Sequence, residues 1–199
     1  MPRTSGGGFD SLASFLADLR RQEPERPVEL WCEDEARLGL QPVTRRVWAL
    51  QGTRPTRGGR PRYQALYVYG FCQPASGRNL CLFLPKVNAE LMGEALAEFA
   101  RWADPQGRKV LVLLVDNAGW HVAKDLKIPA HVRLFGLPSC TPELQPAEHL
   151  WPLVREALAN RDFDHLVGLA AKLRRRCNWL AEHPEVVQGT VGFHWAVDL

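Results

Sequence analysis

The sequence has no long apolar run, no closely spaced cysteine pair and little net charge, and each absence removes a class of protein. The longest unbroken aliphatic stretch, Val110 to Val115, is six residues, whereas a membrane span needs about 20. No spanning helix and no membrane partner are expected. Gly6, Gly7 and Gly8 interrupt the start before an apolar stretch of signal-peptide length can form, which predicts a cytoplasmic protein. The five cysteines, Cys32, Cys72, Cys81, Cys140 and Cys177, are odd in number, widely spaced and without a C-x-x-C pair. That pattern argues against a disulfide framework or a zinc ribbon and predicts buried thiols. Glycine and proline, 16 and 15 of 199 residues, fall short of low-complexity composition. With 46% hydrophobic residues, the chain can bury the core of about one domain. A net charge of +3 names no partner, so its distribution matters more than its sum.

What is present is an alternation of strand and helix patterns. Residues 1–27 read as a flexible tether with a short helix at Phe9 to Arg21, on which Leu12, Phe15, Leu16 and Leu19 share one face. Residues 28–160 read as the core and 161–199 as a C-terminal helical extension. Val28 to Cys32 predicts a strand ending in the acidic triplet Glu33-Asp34-Glu35. Tyr63 to Cys72 and Asn79 to Leu84 predict a hairpin around Pro74-Ala75-Ser76-Gly77. Asn88 caps a predicted helix to about Ala103. Lys109 to Val115 is apolar without alternation, as in a strand covered on both faces. A short helix near Trp120 to Leu126, a strand at Val132 to Phe135, and helices at about Ala147 to Asn160 and Phe163 to Leu180 complete the order. This predicts an α/β fold, a mixed sheet with helices on both faces.

Ligands bind such sheets where the carboxyl ends of neighbouring strands converge. Asp34 and Asp116 each stand where a predicted strand ends, and Glu148 opens the helix after Pro146. If the strands are adjacent, facing carboxylates repel unless cations neutralise them. Three oxygen donors suit Mg²⁺, or Mn²⁺ in its place. Two such ions would activate a water or a 3′-hydroxyl and stabilise the leaving oxygen in phosphodiester displacement. Each acid also has an ordinary reading as a turn former or helix cap, and spacing alone does not choose.

The wording around each acid does. Trp31-Cys32-Glu33-Asp34-Glu35, the stretch Leu114 to His121 (LVDNAGWH) and the stretch Leu137 to Trp151 (LPSCTPELQPAEHLW) resemble the three signature blocks of insertion-sequence transposases of the mariner-related 630 family, which are DDE superfamily endonucleases. Trp48 to Pro55 (WALQGTRP) resembles that family's Trp-x-x-x-Gly segment. The resemblance implies a ribonuclease-H-like fold, with Asp34, Asp116 and Glu148 as catalytic and metal-binding acids. It also implies DNA partners, namely transposon ends and target. Members carry an N-terminal helix-turn-helix region that 27 residues cannot hold, so a separate helix-turn-helix chain or a truncated copy is expected. A homodimer is a further expectation. Gln145 and Ala147 are mild departures from the family pattern.

Arg45, Arg46, Arg54, Arg57, Arg60 and Arg62 fall in an 18-residue stretch with no acid. This Gly- and Pro-rich segment predicts an exposed loop whose guanidinium groups pair with DNA phosphates, against the alternative of a merely solvated loop. The run Lys172 to Arg176 reads as a solvated helix face. Asn117 would hold a metal-bound water or close a turn. His121 would position a phosphate or water or move a proton, or make a structural hydrogen bond. Glu35 is a supporting carboxylate, and Glu33, alternating with Asp34, should point off the site. Trp151, three residues after Glu148, is expected to anchor its helix on the sheet. The function expected is Mg²⁺-dependent DNA cleavage and strand transfer in transposition. A stand-alone nuclease of the same fold and a non-catalytic DNA- or partner-binding remnant are the alternatives.

Overall fold

All six residues of Val110–Val115 are buried, so the segment can only lie inside a sheet covered on both faces. The computed structural model describes residues 9–56, 62–121, 123–138 and 144–197. It builds one sheet from β1 (Val28–Gly39), β2 (Ala65–Cys72), β3 (Asn79–Leu84), β4 (Val110–Val115) and β5 (Val132–Gly136), in the order β3-β2-β1-β4-β5. Neighbours β1, β2 and β3 run antiparallel, while β4 lies parallel to both β1 and β5. This is the expected mixed sheet.

β1 is longer than its sequence predicts. Val28 to Cys32 pair with β4, and Cys32 to Gly39 pair with β2. Asp34 therefore lies inside a strand and not at its end. β1 simply outruns its parallel neighbour, because β2 continues to satisfy its backbone groups after β4 stops.

Alternation along the strands feeds two cores. Trp31, Phe71, Leu111 and Leu113 face α2 (Ala89–Ala103), whose Phe99 stacks on Phe71 at 4.6 Å and meets Trp31 edge-on at 5.1 Å. Asn88 caps α2 as expected, its Oδ1 accepting from Leu91 N–H at 2.9 Å. Cys32, Ala36, Val68, Val112 and Leu114 face the opposite layer. That layer contains α1 (Phe9–Gln22), which buries Leu12, Leu16 and Leu19 and sets Phe15 against Phe135 at 5.4 Å. The helix expected on a tether is thus packed against the sheet. Cys32, Cys72 and Cys177 are buried free thiols and Cys81 is half-buried; Cys140 lies outside the described residues.

Two predicted helices differ. Among the described residues between Trp120 and Leu126 there are turns and no helix; the Asp116 carboxylate accepts Ala118 N–H at 2.9 Å and offers the backbone a local alternative to a helix. The expected helix at 147–160 is divided into a 3₁₀ turn (Pro146–His149), α3 (Leu150–Arg155) and a second 3₁₀ turn (Glu156–Leu158). Pro152 has no N–H and fits only a first turn, so the α-helical register restarts at Leu150.

The last predicted helix appears as α4 (Leu166–Glu182), followed within the segment read as a helical extension by α5 (Pro184–Val191) and α6 (His194–Val197), neither of which the sequence reading places individually. α5 docks on the β2–β3 turn. There Gly77 has φ +71°, and a Cβ on it would come within 1.9 Å of the Pro184 carbonyl oxygen. The basic run on α4 is only partly a solvated face, since Arg176 Nε donates to the Leu153 carbonyl at 2.9 Å and Arg174 lies over the Phe83 ring at 5.8 Å.

Candidate active site

The register of β1 on β4 reaches Cys32 opposite Leu114. Continued two residues, it brings Asp34 level with Asp116 at the carboxyl end of β4. On the other side Asp34 pairs with Gly70 of β2. Directly opposed residues share a face, and a Cβ on Gly70 would stand 2.7 Å from the Trp151 ring. The missing side chain lets the buried indole lie across the sheet, where Trp151 Nε1 donates to Asp34 Oδ2 at 2.6 Å. Trp151 anchors α3 as expected and also holds an acid.

The turn bearing Glu148 is fixed to the same strand, because buried Gln145 donates through Nε2 to the Glu33 carbonyl at 2.9 Å. Glu148 itself is exposed. Its charge reaches Asp34: burial above all, then Glu148 and Glu35, outweigh the Trp151 hydrogen bond and push the Asp34 carboxyl up to about 7. The charges of Asp34 and Glu148 therefore act on one another.

Asp116 is treated differently. It follows β4 as expected, but its carboxylate is turned to His121, whose Nδ1 lies 2.7 Å from Oδ1. That hydrogen bond, helped by Ala118 N–H and opposed by partial burial, holds the Asp116 carboxyl below its usual range. His121 is buried. Its Nε2 stands 3.1 Å from Glu33 Oε2 and 3.5 Å from Glu35 Oε1, in ion-pair contact without hydrogen-bond alignment. Burial opposes its charge, but Asp116, Glu33 and Glu35 outweigh that and push the ring up to about 12. The imidazolium form makes His121 an anchor, and this favours the structural alternative over proton transfer.

Glu33 does point away from Asp34, but it is far from idle. It is wholly buried against His121, and burial followed by the charge of Glu35 pushes its carboxyl up to about 8 despite the ring. Alternation could place Glu33; nothing in the sequence could pair it with His121. Asn117 ties the end of β4 to the end of β5, its Nδ2 donating to the Leu137 carbonyl at 2.8 Å.

Of the arginines, Arg45 and Arg46 are exposed beside fully exposed Trp48, and Arg54 is exposed further along the same segment. The loop starts from a fixed stem, where Asn160 accepts Arg45 N–H at 3.1 Å and returns a hydrogen bond to its carbonyl at 3.2 Å. Arg62 is half-buried and bound to Asp164 through its carbonyl and carboxylate. Arg57 and Arg60 lie outside the described residues. A cavity of about 850 Å³ between α2 and residues 125–129 is lined by none of the three acids. They stand at an open sheet edge instead, where Asp116 is about half exposed.

The sequence model of the DDE superfamily endonuclease family matches residues 29–169, which includes all three acids. The chain belongs to this family. A relative described as "Uncharacterized protein y4pE/y4sA", from Sinorhizobium fredii (strain NBRC 101917 / NGR234), is 35% identical over 131 residues, covering 65% of this chain and 96% of the relative. Among solved structures, the Mos1 transposase paired-end complex with left transposon end superposes with TM-score 0.56 at 18% identity, over 96% of this chain and 65% of that one. The Mos1 mariner paired end complex with Mn gives TM-score 0.57 at 16% identity, over 97% of this chain and 65% of that one. The DDE endonuclease chain thus shares the ribonuclease-H-like fold of the Mos1 catalytic region and spans about 65% of the Mos1 chain's length.

Proposed function

We propose that this DDE endonuclease is the catalytic domain of a transposase, which cuts DNA and joins the freed 3′-hydroxyl to a target. Asp34, Asp116 and Glu148 would hold two Mg²⁺ ions, with Mn²⁺ as a substitute. The observation that carries this reading is the register that brings Asp34 level with Asp116 at the end of β4, with the charge of Glu148 felt at Asp34, in a chain of this family. The donors fit the ions. Asp34 is a carboxyl held back from ionisation by burial and a neighbouring carboxylate, which a cation would relieve. All three groups offer oxygen, as hard divalent cations require. When bound, such ions activate a water or hydroxyl and stabilise the leaving oxygen.

The chain's own residues do the positioning. Trp151 fixes Asp34, Gln145 fixes the turn that carries Glu148, and His121 holds Asp116. Arg45, Arg46 and Arg54 extend a positive surface suited to phosphates. The Mos1 structures, complexes with transposon ends and in one case Mn, support DNA and a divalent cation as partners here. We further propose that two copies of the chain act together on paired ends. No helix of the described residues is long and apolar enough to cross a membrane, and we place the reaction in the cytoplasm.

Nicking of supercoiled plasmid by the purified chain tests the proposal: cutting in Mg²⁺ or Mn²⁺ and none in EDTA is expected. Failure to cut in either metal, with or without end-bearing DNA and a helix-turn-helix partner, would favour the non-catalytic remnant. Alanine at Arg45, Arg46 and Arg54 together should lower the salt dependence of DNA binding by about 2 to 3 in log–log slope. An unchanged slope would remove the loop from the interface.

A further inference from the structure

Glu33, Glu35 and His121 bring one ligand atom each to a common point, with these atoms all within 4.8 Å of one another. His121 Nε2 lies 3.1 Å from Glu33 Oε2 and 3.5 Å from Glu35 Oε1. These separations bracket the edge of a tetrahedron around a cation with bonds of about 2.1 Å, whose donors stand roughly 3.4 Å apart. Yet these ion-pair contacts lack hydrogen-bond alignment. Among the described residues, both carboxylate oxygens of Glu33, Oε1 of Glu35 and Nε2 of His121 are buried without a hydrogen-bond partner. Buried polar atoms are nearly always satisfied, so orphans converging on one point need a common partner. Glu33 is wholly buried and His121 is 3% exposed. Two carboxyl groups there face a single imidazole in a volume with little access to water.

The other ring nitrogen completes the pattern. Nδ1 hydrogen-bonds Asp116 Oδ1 at 2.7 Å. A carboxylate on one nitrogen fixes the tautomer of a metal-binding histidine and turns the lone pair of the other nitrogen to the ion.

We propose that Glu33, Glu35 and His121 hold a divalent cation of the zinc class, on the opposite face of the sheet from Asp34. The cation takes the place of the Nε2 proton, which leaves to solvent. His121 and Glu35 give one donor each, and Glu33 supplies one or both of its unpartnered oxygens. Mixed imidazole and carboxylate donors suit zinc, whereas the oxygen-only set of Asp34, Asp116 and Glu148 suits magnesium. The ion joins β1 to the segment after β4 and sets the orientation of Asp116 through Nδ1–H. Its role is structural.

The full chain, stripped with EDTA and dialysed, is titrated with Co²⁺, whose visible absorption reports tetrahedral coordination, and its zinc content after reloading is counted by mass spectrometry. About one zinc per chain is expected. It should persist in the Asp34→Asn/Glu148→Gln double variant, which lacks two of the proposed catalytic ligands. In Glu33→Gln and in Glu35→Gln, each shown to be folded by circular dichroism in EDTA, affinity should fall at least about tenfold. A folded wild-type chain that takes up no zinc and shows no cobalt absorption would overturn the proposal and leave an internal ion pair. Uptake lost in the double variant but kept in the glutamine variants would place the ion on the outer acids, and overturn it equally.

Discussion

Asp34 and Asp116 stand level at the end of β4, but they are held from opposite faces of the sheet by different chemistry. Asp34 receives a neutral donor, the indole N–H of Trp151, within the layer formed by α1, α3 and α4. Asp116 receives His121, charged in the cation-free chain and backed by Glu33 and Glu35. A neutral donor does not cancel a carboxylate's charge, so burial and Glu148 prevail at Asp34. A charged donor does cancel it, so Asp116 stays ionised. One carboxyl is kept ionised by its partner, and the other is held back from ionisation.

The comparison breaks most completely on the His121 side. His121→Ala would leave Glu33 and Glu35 buried without a counter-charge, and a broken buried pair costs about 3–5 kcal/mol. Urea unfolding in EDTA measures this, and a loss under about 1 kcal/mol would show that the imidazole does not balance those carboxylates. On the Trp151 side, Gly70→Ala places a Cβ 2.7 Å from the indole. Overpacking of this kind costs about 1–3 kcal/mol. It should also displace the donor from Asp34 and slow cleavage, while leaving the Asp116 side intact.

The subtlest test is pH. Asp34 titrates near 7 in the folded chain and at about 4 when unfolded. Between those values the folded chain keeps a proton that the unfolded chain has lost. The stability this group contributes is therefore present at acid pH and is lost as pH rises to about 7. Melts in EDTA from acid to neutral pH should show that decline, reduced in Asp34→Asn. Trp151→Phe removes a hydrogen bond that favours the ionised form, costs about 1 kcal/mol, and should move the end of the decline to higher pH. A slope identical in wild type and Asp34→Asn would refute the raised carboxyl.

Much of this was legible in the sequence, and the misses share a cause. Val110 to Val115 announced a central strand through unbroken apolarity, and Asn88 announced a helix start through its side-chain chemistry, because both signals are local. Asp34 was expected at a strand end; it reaches the same place because β1 outlasts β4, a fact of pairing that no single segment contains. The Glu33–His121 contact joins residues 88 positions apart, and Trp151–Asp34 joins residues 117 apart. Alternation set the face of Glu33, and spacing set the face of Trp151, but neither could name the partner. Arg62 was read from charge density as a DNA contact, while the fold pairs it with Asp164.

The central claim is that Asp34, Asp116 and Glu148 act as one cluster although the sheet holds them by separate means. Nicking of supercoiled plasmid in Mn²⁺ by Asp34→Asn, Asp116→Asn and Glu148→Gln, side by side with wild type, tests it most directly. Each folded variant should fall to background, because loss of any one ligand would disable a shared site. A variant that cuts within about tenfold of wild type, a deficit of only ~1.4 kcal/mol in barrier, would remove that residue from the cluster and contradict the account.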